Sequence, residues 1–208
     1  SWSYTFLTRL LWLYVSRLDK KKLLSNLEDP AFGNPPRVIN EKRLISQDLA
    51  NSLLEYFSIF ESGVDKSKIK TIIELGPGYG RNAYVILKLN PKVKYILVDI
   101  PPALYIAQRY LSEVFPDKKI FKFRSFRKFN EISSEFESSQ IIFLLPHQLE
   151  LLPSKYVDMF INISSLHEMR PDQISYYFEQ INRLTRKYFY LKEWIISKIP
   201  YEGIIVKE

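Results

Sequence analysis

Residues 72–81, IIELGPGYGR, set one carboxylate and three glycines between an apolar run and a helix-like segment. Glycine at 76, 78 and 80 leaves every second position of the turn without a Cβ, so a ligand can press against the backbone. Glu74, just before them, supplies an acceptor for a cationic group. The spacing argues against two phosphate-binding alternatives. A G-x-G-x-x-G fingerprint needs glycine at 81, where Arg81 stands, and no G-K-[ST] follows to mark a P-loop. What remains, E-x-G-x-G-x-G, suits a ligand that carries a positive amine.

Such a turn must be held by regular elements, and the chain supplies them in alternation from residue 69 onward, the pattern of parallel βαβ units. KIKTIIEL (68–75) reads as the strand that ends at the glycines, and Ala83, Ile86, Leu87 and Asn90 mark one side of the helix after them. KYILVD (94–99) is a second buried strand ending in Asp99. Pro101 and Pro102 suit a helix start, with Ala103, Ala107, Tyr110, Leu111 and Val114 as its apolar face. Of KIFKFR (119–124) and QIIFLLP (140–146), the second is expected to be the central third strand. YVDMFINIS (156–164) and KYFYLKEW (187–194) read as the fourth and fifth. Between them a helix starts near Pro171, with Ile174, Tyr177, Phe178, Ile181 and Leu184 facing inward. Upstream, EDPAFGNPPRVIN (28–40) reads as a linker or ordered loop. Residues 41–60, with Ile45, Leu49, Leu53, Tyr56 and Phe60 on one side, read as a helix that covers the core or roofs the site. The expected fold is α/β: a doubly wound, mostly parallel sheet over residues 41–208, preceded by a helical extension and linker over 1–40.

Composition narrows the function classes. The 208 residues are 46% apolar and 15% aromatic, enough for one substantial core. Thirty basic against 23 acidic residues give a net charge of +7, which favours anionic ligands or surfaces, but the lysines are scattered over the chain. Without cysteine there are no disulfides, thiolate zinc sites or cysteine nucleophiles, and with two histidines no metal site is expected. The first eighteen residues, SWSYTFLTRLLWLYVSRL, are interrupted by Arg9 and Arg17. The uninterrupted apolar run Leu10–Val15 falls far short of the roughly 20 residues of a spanning helix. An amphipathic helix packed on the domain is the expectation, with a membrane-surface helix backed by Lys20, Lys21 and Lys22 as the alternative. No small-residue cleavage site follows, and a cytoplasmic setting is expected.

S-adenosylmethionine carries the amine that the turn calls for, and the arrangement over residues 69–193 resembles the class I S-adenosylmethionine-dependent methyltransferases. The resemblance implies that Glu74, Gly76, Gly78 and Gly80 contact the methionine part of the cofactor. It also implies that Asp99, 25 positions after Glu74, holds the ribose hydroxyls. A carboxylate is a bidentate acceptor for a cis-diol, whereas by itself Asp99 would read as a helix N-cap or turn acid. After the third strand the family offers a polar residue to the adenine; in PHQLELLP (146–153) that is Gln148, with His147 or Leu149 if the register slips. GNPP (33–36), YILVDIPPALYIAQRYLS, IIFLLPHQLELL and INISSLHEM, in this order, look more narrowly like a bacterial class I branch, the sugar O-methyltransferases. That likeness implies transfer of a methyl group to a hydroxyl of a sugar or glycan precursor. A sugar hydroxyl needs a base, and SSLHEM at the end of the fourth strand offers His167, with Glu168 to orient or replace it. A neutral imidazole can accept the hydroxyl proton. Capping a helix or bonding a carbonyl is the structural alternative for the same histidine. Tyr79 and Arg81 are minor candidates for closing over the cofactor and meeting its carboxylate. Class I sheets end in an antiparallel hairpin, and here GIIVK (203–207) alone could begin one.

Three rival readings share part of this pattern. A nucleic-acid methyltransferase would use the same cleft, and FKFRSFRKF (121–129) alternates aromatic and basic residues as a single-strand binder would. An amphipathic strand with a basic outer face explains that stretch equally, and SSLHEM stands where base methylases carry an N-P-P-Y-like segment. A non-catalytic Rossmann-like binding module would keep the glycines without turnover. A nicotinamide oxidoreductase is disfavoured by the glycine spacing, and no G-x-S-x-G suggests a hydrolase.

Overall fold

The computed structural model describes residues 2–33, 36–194, 196–198 and 205–207; Asn34 and Pro35 of the GNPP stretch lie outside the described residues. The chain opens with helix α1 (Trp2–Leu18), then a short antiparallel hairpin of β1 (Val38–Asn40) and β2 (Arg43–Ile45), then α2 (Gln47–Phe60). The alternating part follows as β3 (Thr71–Leu75), α3 (Arg81–Leu89), β4 (Lys94–Val98), α4 (Pro101–Val114), β5 (Ile120–Phe121), α5 (Ser133–Ser138), β6 (Ile141–Leu144), β7 (Val157–Ile163), α6 (Pro171–Leu184) and β8 (Thr185–Lys192). Six strands pair in the order β5-β6-β4-β3-β7-β8, every pair parallel. β6 sits beside β4 while 120–121 is the outer edge, so the second of the two apolar runs is the third strand outward from the glycines, as expected. This is a doubly wound, Rossmann-like sheet. Beyond it, β9 (Ile196–Lys198) pairs antiparallel with β10 (Ile205–Lys207) as a separate two-stranded sheet.

Side chains along a strand alternate between faces, and here both faces are covered. Ile72, Tyr95, Leu97, Ile141, Phe143, Met159 and Ile161 pack under α2, α3 and α4 on one side. Ile73, Ile96, Val98, Ile142, Leu144 and Phe160 pack against Phe136 of α5 and Tyr177, Ile181 and Leu184 of α6 on the other. This double burial is why the central strands read as unbroken apolar runs. β8, at the edge, carries charges instead and exposes most of its residues.

Three local expectations are corrected. The helix expected over 41–60 starts at Gln47, because Ser46 in extended conformation accepts a hydrogen bond from Leu49 N–H and caps it; Ile45 belongs to the preceding hairpin. Phe178 on α6 is 42% exposed and meets Phe189 edge-on at the sheet's rim rather than entering the core. FKFRSFRKF is not a strand beyond Phe121: the N–H of Phe123 goes to Gln108 Oε1 instead of a ladder partner, and Arg124 pairs with Glu135.

Candidate functional site

In an open parallel sheet the ligand crevice lies at the carboxyl ends of the strands, where strand order reverses. Here that point is between β3 and β7. The turns after these two strands are stitched together. Asn162, fully buried at the end of β7, donates from Nδ2 to Leu75 O (3.1 Å) and Ser165 Oγ (2.6 Å). Ser165 therefore sits against Gly76, where a Cβ would lie 2.4 Å from the serine Cβ and where φ is +73°. Only glycine fits that position. Gly80, also left-handed at φ +92°, opens α3, and a Cβ there would meet Leu111 at 3.0 Å.

Glu74 is buried beneath the turn. Its Oε1 accepts from Asn82 Nδ2 (3.0 Å) and its Oε2 from Tyr95 Oη (2.7 Å). Burial pushes the Glu74 carboxyl above its ordinary range, against the lowering effect of the Asn82 and Tyr95 bonds and the nearby Arg81 charge. Arg81 donates to Ser52 Oγ (3.0 Å) and Asn82 Oδ1 (3.1 Å), so it ties the turn to α2. Tyr79 does the same from the other side, donating to Asp48 Oδ2 at 2.9 Å. Helix α2 thus roofs the site as well as covering the core. A cleft of about 240 Å³ remains between roof and turn, lined by Asp48, Glu74, Gly76, Gly78, Asn82 and Ile163 among others. It is smaller than the roughly 300–1,000 Å³ of sites for drug-sized ligands, and suits one end of a larger molecule.

Asp99, one strand over, faces the same turn. Its Oδ2 accepts from Gly78 N–H (3.0 Å) and its Oδ1 from Ile100 N–H (2.8 Å). Burial pushes its carboxyl up; the two backbone bonds oppose this and the charge of Glu168 adds to it. Each oxygen keeps a second lone pair for a ligand hydroxyl.

His167 is held at the end of β7 by a residue that sequence reasoning passed over. Glu193, just past β8, accepts through Oε1 from Ser165 N–H (3.1 Å) and Leu166 N–H (3.0 Å), and its Oε2 lies 2.8 Å from His167 Nδ1. Facing a carboxylate, Nδ1 carries the ring proton, and in the neutral ring Nε2 is then the basic nitrogen. Glu168, three-quarters exposed, stands 3.8 Å from Nε2 through Oε1, and Trp194 meets the imidazole edge-on.

The remaining candidates separate from this group. Gln148 is fully buried with its amide committed to backbone: Oε1 accepts from Leu145 N–H and Nε2 donates to Arg124 O, both at 2.9 Å. It braces the turn after β6; His147 beside it is exposed. A larger cleft of about 590 Å³ lies over the outer side of α4, lined by Phe32, Tyr105, Ile106 and Arg109 among others, and touches none of the residues above. Asn82, Tyr95, Asn162 and Glu193 were missed. Asn162 and Glu193 share a signal with Glu74 and Asp99: a polar residue at or just past the carboxyl end of a parallel strand. Asn82 and Tyr95 reach Glu74 only through folding.

No family model matches this sequence, and no curated protein matches it. Among solved structures the chain is similar to the mitomycin 7-O-methyltransferase MmcR, with 18% identity and a TM-score of 0.44 over 66% of this chain and 34% of that one. It is similar to the YcgJ protein from Bacillus subtilis, at 14% identity and a TM-score of 0.42 over 65% of this chain and 46% of that one. It is also similar to PigF, solved with SAH, at 14% identity and a TM-score of 0.40 over 64% of this chain and 38% of that one. The chain thus spans between about a third and a half of the length of these proteins. The strand order and its crevice, rather than these likenesses, define the fold.

Proposed function

We propose that this protein is an S-adenosylmethionine-dependent O-methyltransferase acting on a hydroxyl of a sugar or glycan precursor. The observation that carries the reading is the convergence, at one end of the sheet, of the Glu74–Gly80 turn, Asp99 and the His167–Glu193 pair. The residues fit the cofactor. The turn has no Cβ where a ligand would approach, the small cleft beside Glu74 suits a methionine-sized end, and Asp99 suits a ribose diol. The bound cofactor supplies an electrophilic methyl on a sulfonium. The protein then has to hold an acceptor oxygen in line with that methyl, which is worth roughly 7–11 kcal/mol in favourable cases. His167, through Nε2, takes the hydroxyl proton, while Glu193 holds the ring and favours the imidazolium that forms. The choice of a sugar rests on the ordered likeness of the sequence stretches to sugar O-methyltransferases.

Calorimetric titration with S-adenosylmethionine, S-adenosylhomocysteine and NAD tests the reading. Binding of the first two, weakened at least tenfold in Asp99→Ala, with no heat from NAD, is the expected result. Sugar acceptors are then screened for methyl transfer that His167→Ala removes. A folded protein that binds neither methyl cofactor is not an enzyme of this class, and the binding-module reading replaces it.

A further inference from the structure

Helix α1 has two unlike faces. Thr8, Trp12 and Val15 are buried, with Tyr4 and Leu11 packed against the core beside them. The opposite side exposes Trp2 (82%), Phe6, Leu10, Leu13, Tyr14 and Leu18 to solvent. At 100° per residue these positions, with the exposed Leu7, span an arc of about 160° interrupted by Ser3 and Arg17, wider than a soluble helix usually leaves apolar toward water. Trp2 and Phe6 stack at 5.6 Å, extending a flat aromatic surface at the start of the helix. The charge on this side is mostly basic. Arg17 lies within the arc, Arg9 at its border donates to Ile39 O at 3.1 Å, and of the exposed Lys20, Lys21 and Lys22 that follow, Lys21 pairs with Glu61 at 3.5 Å. Between residues 2 and 27 the one acid is Asp19, and it is turned inward to accept from Leu24 N–H at 2.7 Å. No helix among the described residues is long and apolar enough to cross a membrane.

We propose that α1 docks this protein on an anionic lipid surface, with its apolar arc at the headgroup–acyl boundary and its arginines and lysines among the headgroups. Wide apolar faces bearing tryptophan or tyrosine and bordered by basic residues bind in this way, and each basic residue near such a surface adds attraction. A second copy of the chain fits the face less well. A self-complementary contact would bury Arg17 from both copies with no acid on the face to meet either. This inference is independent of the catalytic reading and of the cofactor.

The test is co-sedimentation of the whole chain with vesicles of phosphatidylcholine, with and without phosphatidylglycerol. Expected are binding to the mixed vesicles with a blue shift of tryptophan emission, and binding at least tenfold weaker to neutral vesicles. Phe6→Ser with Leu10→Ser and Leu13→Ser should abolish it. Arg17→Glu with Lys20→Glu and Lys22→Glu should weaken it more than tenfold. All six positions are exposed, and circular dichroism checks that both variants fold. Absence of binding to mixed vesicles, or wild-type binding by either folded variant, overturns the proposal. A stable dimer that the apolar variant dissociates, with no vesicle binding, also overturns it and assigns the face to a second copy.

Discussion

Glu74 is held where burial makes its charge costly to the fold. Because burial raises its carboxyl above the unfolded value, the contribution of Glu74 to stability is greatest in acid and falls as pH rises through the raised value. Glu74→Gln is therefore expected to match or exceed the wild-type Tm near neutral pH, with the difference growing as pH rises above the ordinary carboxylate range in calorimetric scans. The same variant should lose S-adenosylmethionine affinity, by about tenfold or more for a lost charge-assisted bond. A variant less stable than wild type at every pH would show that the Asn82 and Tyr95 bonds outweigh desolvation. Glu193 Oε2 lies 2.8 Å from His167 Nδ1, and on the proposed function it would act through that ring. Glu193→Gln should lower kcat by roughly 10² to 10⁴ with KM little changed, and alter the pH profile of kcat, because an amide neither fixes the Nδ1–H tautomer nor favours the imidazolium. A uniform loss of Tm with an unchanged pH profile would reduce Glu193 to a brace for the Ser165–Leu166 backbone.

At the scale of elements, the site is a product of strand ends and of the turns that join them. The contact between Gly76 and Ser165, with the bonds of Asn162 and Ser165 to Leu75 O, joins the turns after β3 and β7. Gly76→Ala places a Cβ 2.4 Å from that of Ser165 in a left-handed backbone. A loss of about 1–3 kcal/mol is expected, read as a fall in Tm, together with loss of cofactor binding. Gly76→Ala with Ser165→Gly should recover part of the stability by removing the clash, leaving the backbone strain in place. Recovery of binding in that pair would identify the contact as the cause; no recovery would place the defect in the strain. Helix α2 completes the arrangement from above, since Asp48 and Ser52 receive Tyr79 and Arg81.

Across the whole molecule, the two ends of the sheet treat buried acids in opposite ways. At the amino ends of the strands, burial would raise Asp158, but Lys187 Nζ at 2.9 Å and the N–H groups of Lys70 and Thr71 more than offset this and hold its carboxyl below the usual range. Its stabilisation is present above the unfolded carboxyl value and is lost as pH falls through the lower folded one, the reverse of Glu74. Asp158→Asn should cost about 1–3 kcal/mol at pH 7, and less as pH is lowered, by denaturant titration. An effect that does not diminish in acid would exclude the charge as its source. The sequence by itself determined the alternation of strands and helices, the glycine turn with its neighbouring acids, and the histidine after the fourth strand. These are local facts: unbroken apolar runs bury on both faces, and the glycines are adjacent to Glu74 in the chain. Only the tertiary structure decided that Gln148 braces backbone, that Phe178 lies at a rim, and that the roofing helix starts at Gln47, capped by Ser46, rather than at residue 41. It also paired Glu193 with His167 across 26 residues and Asn162 with Leu75 across 87. Parallel strands meet through crossovers, so partners at their carboxyl ends are distant in the chain and carry no spacing signal.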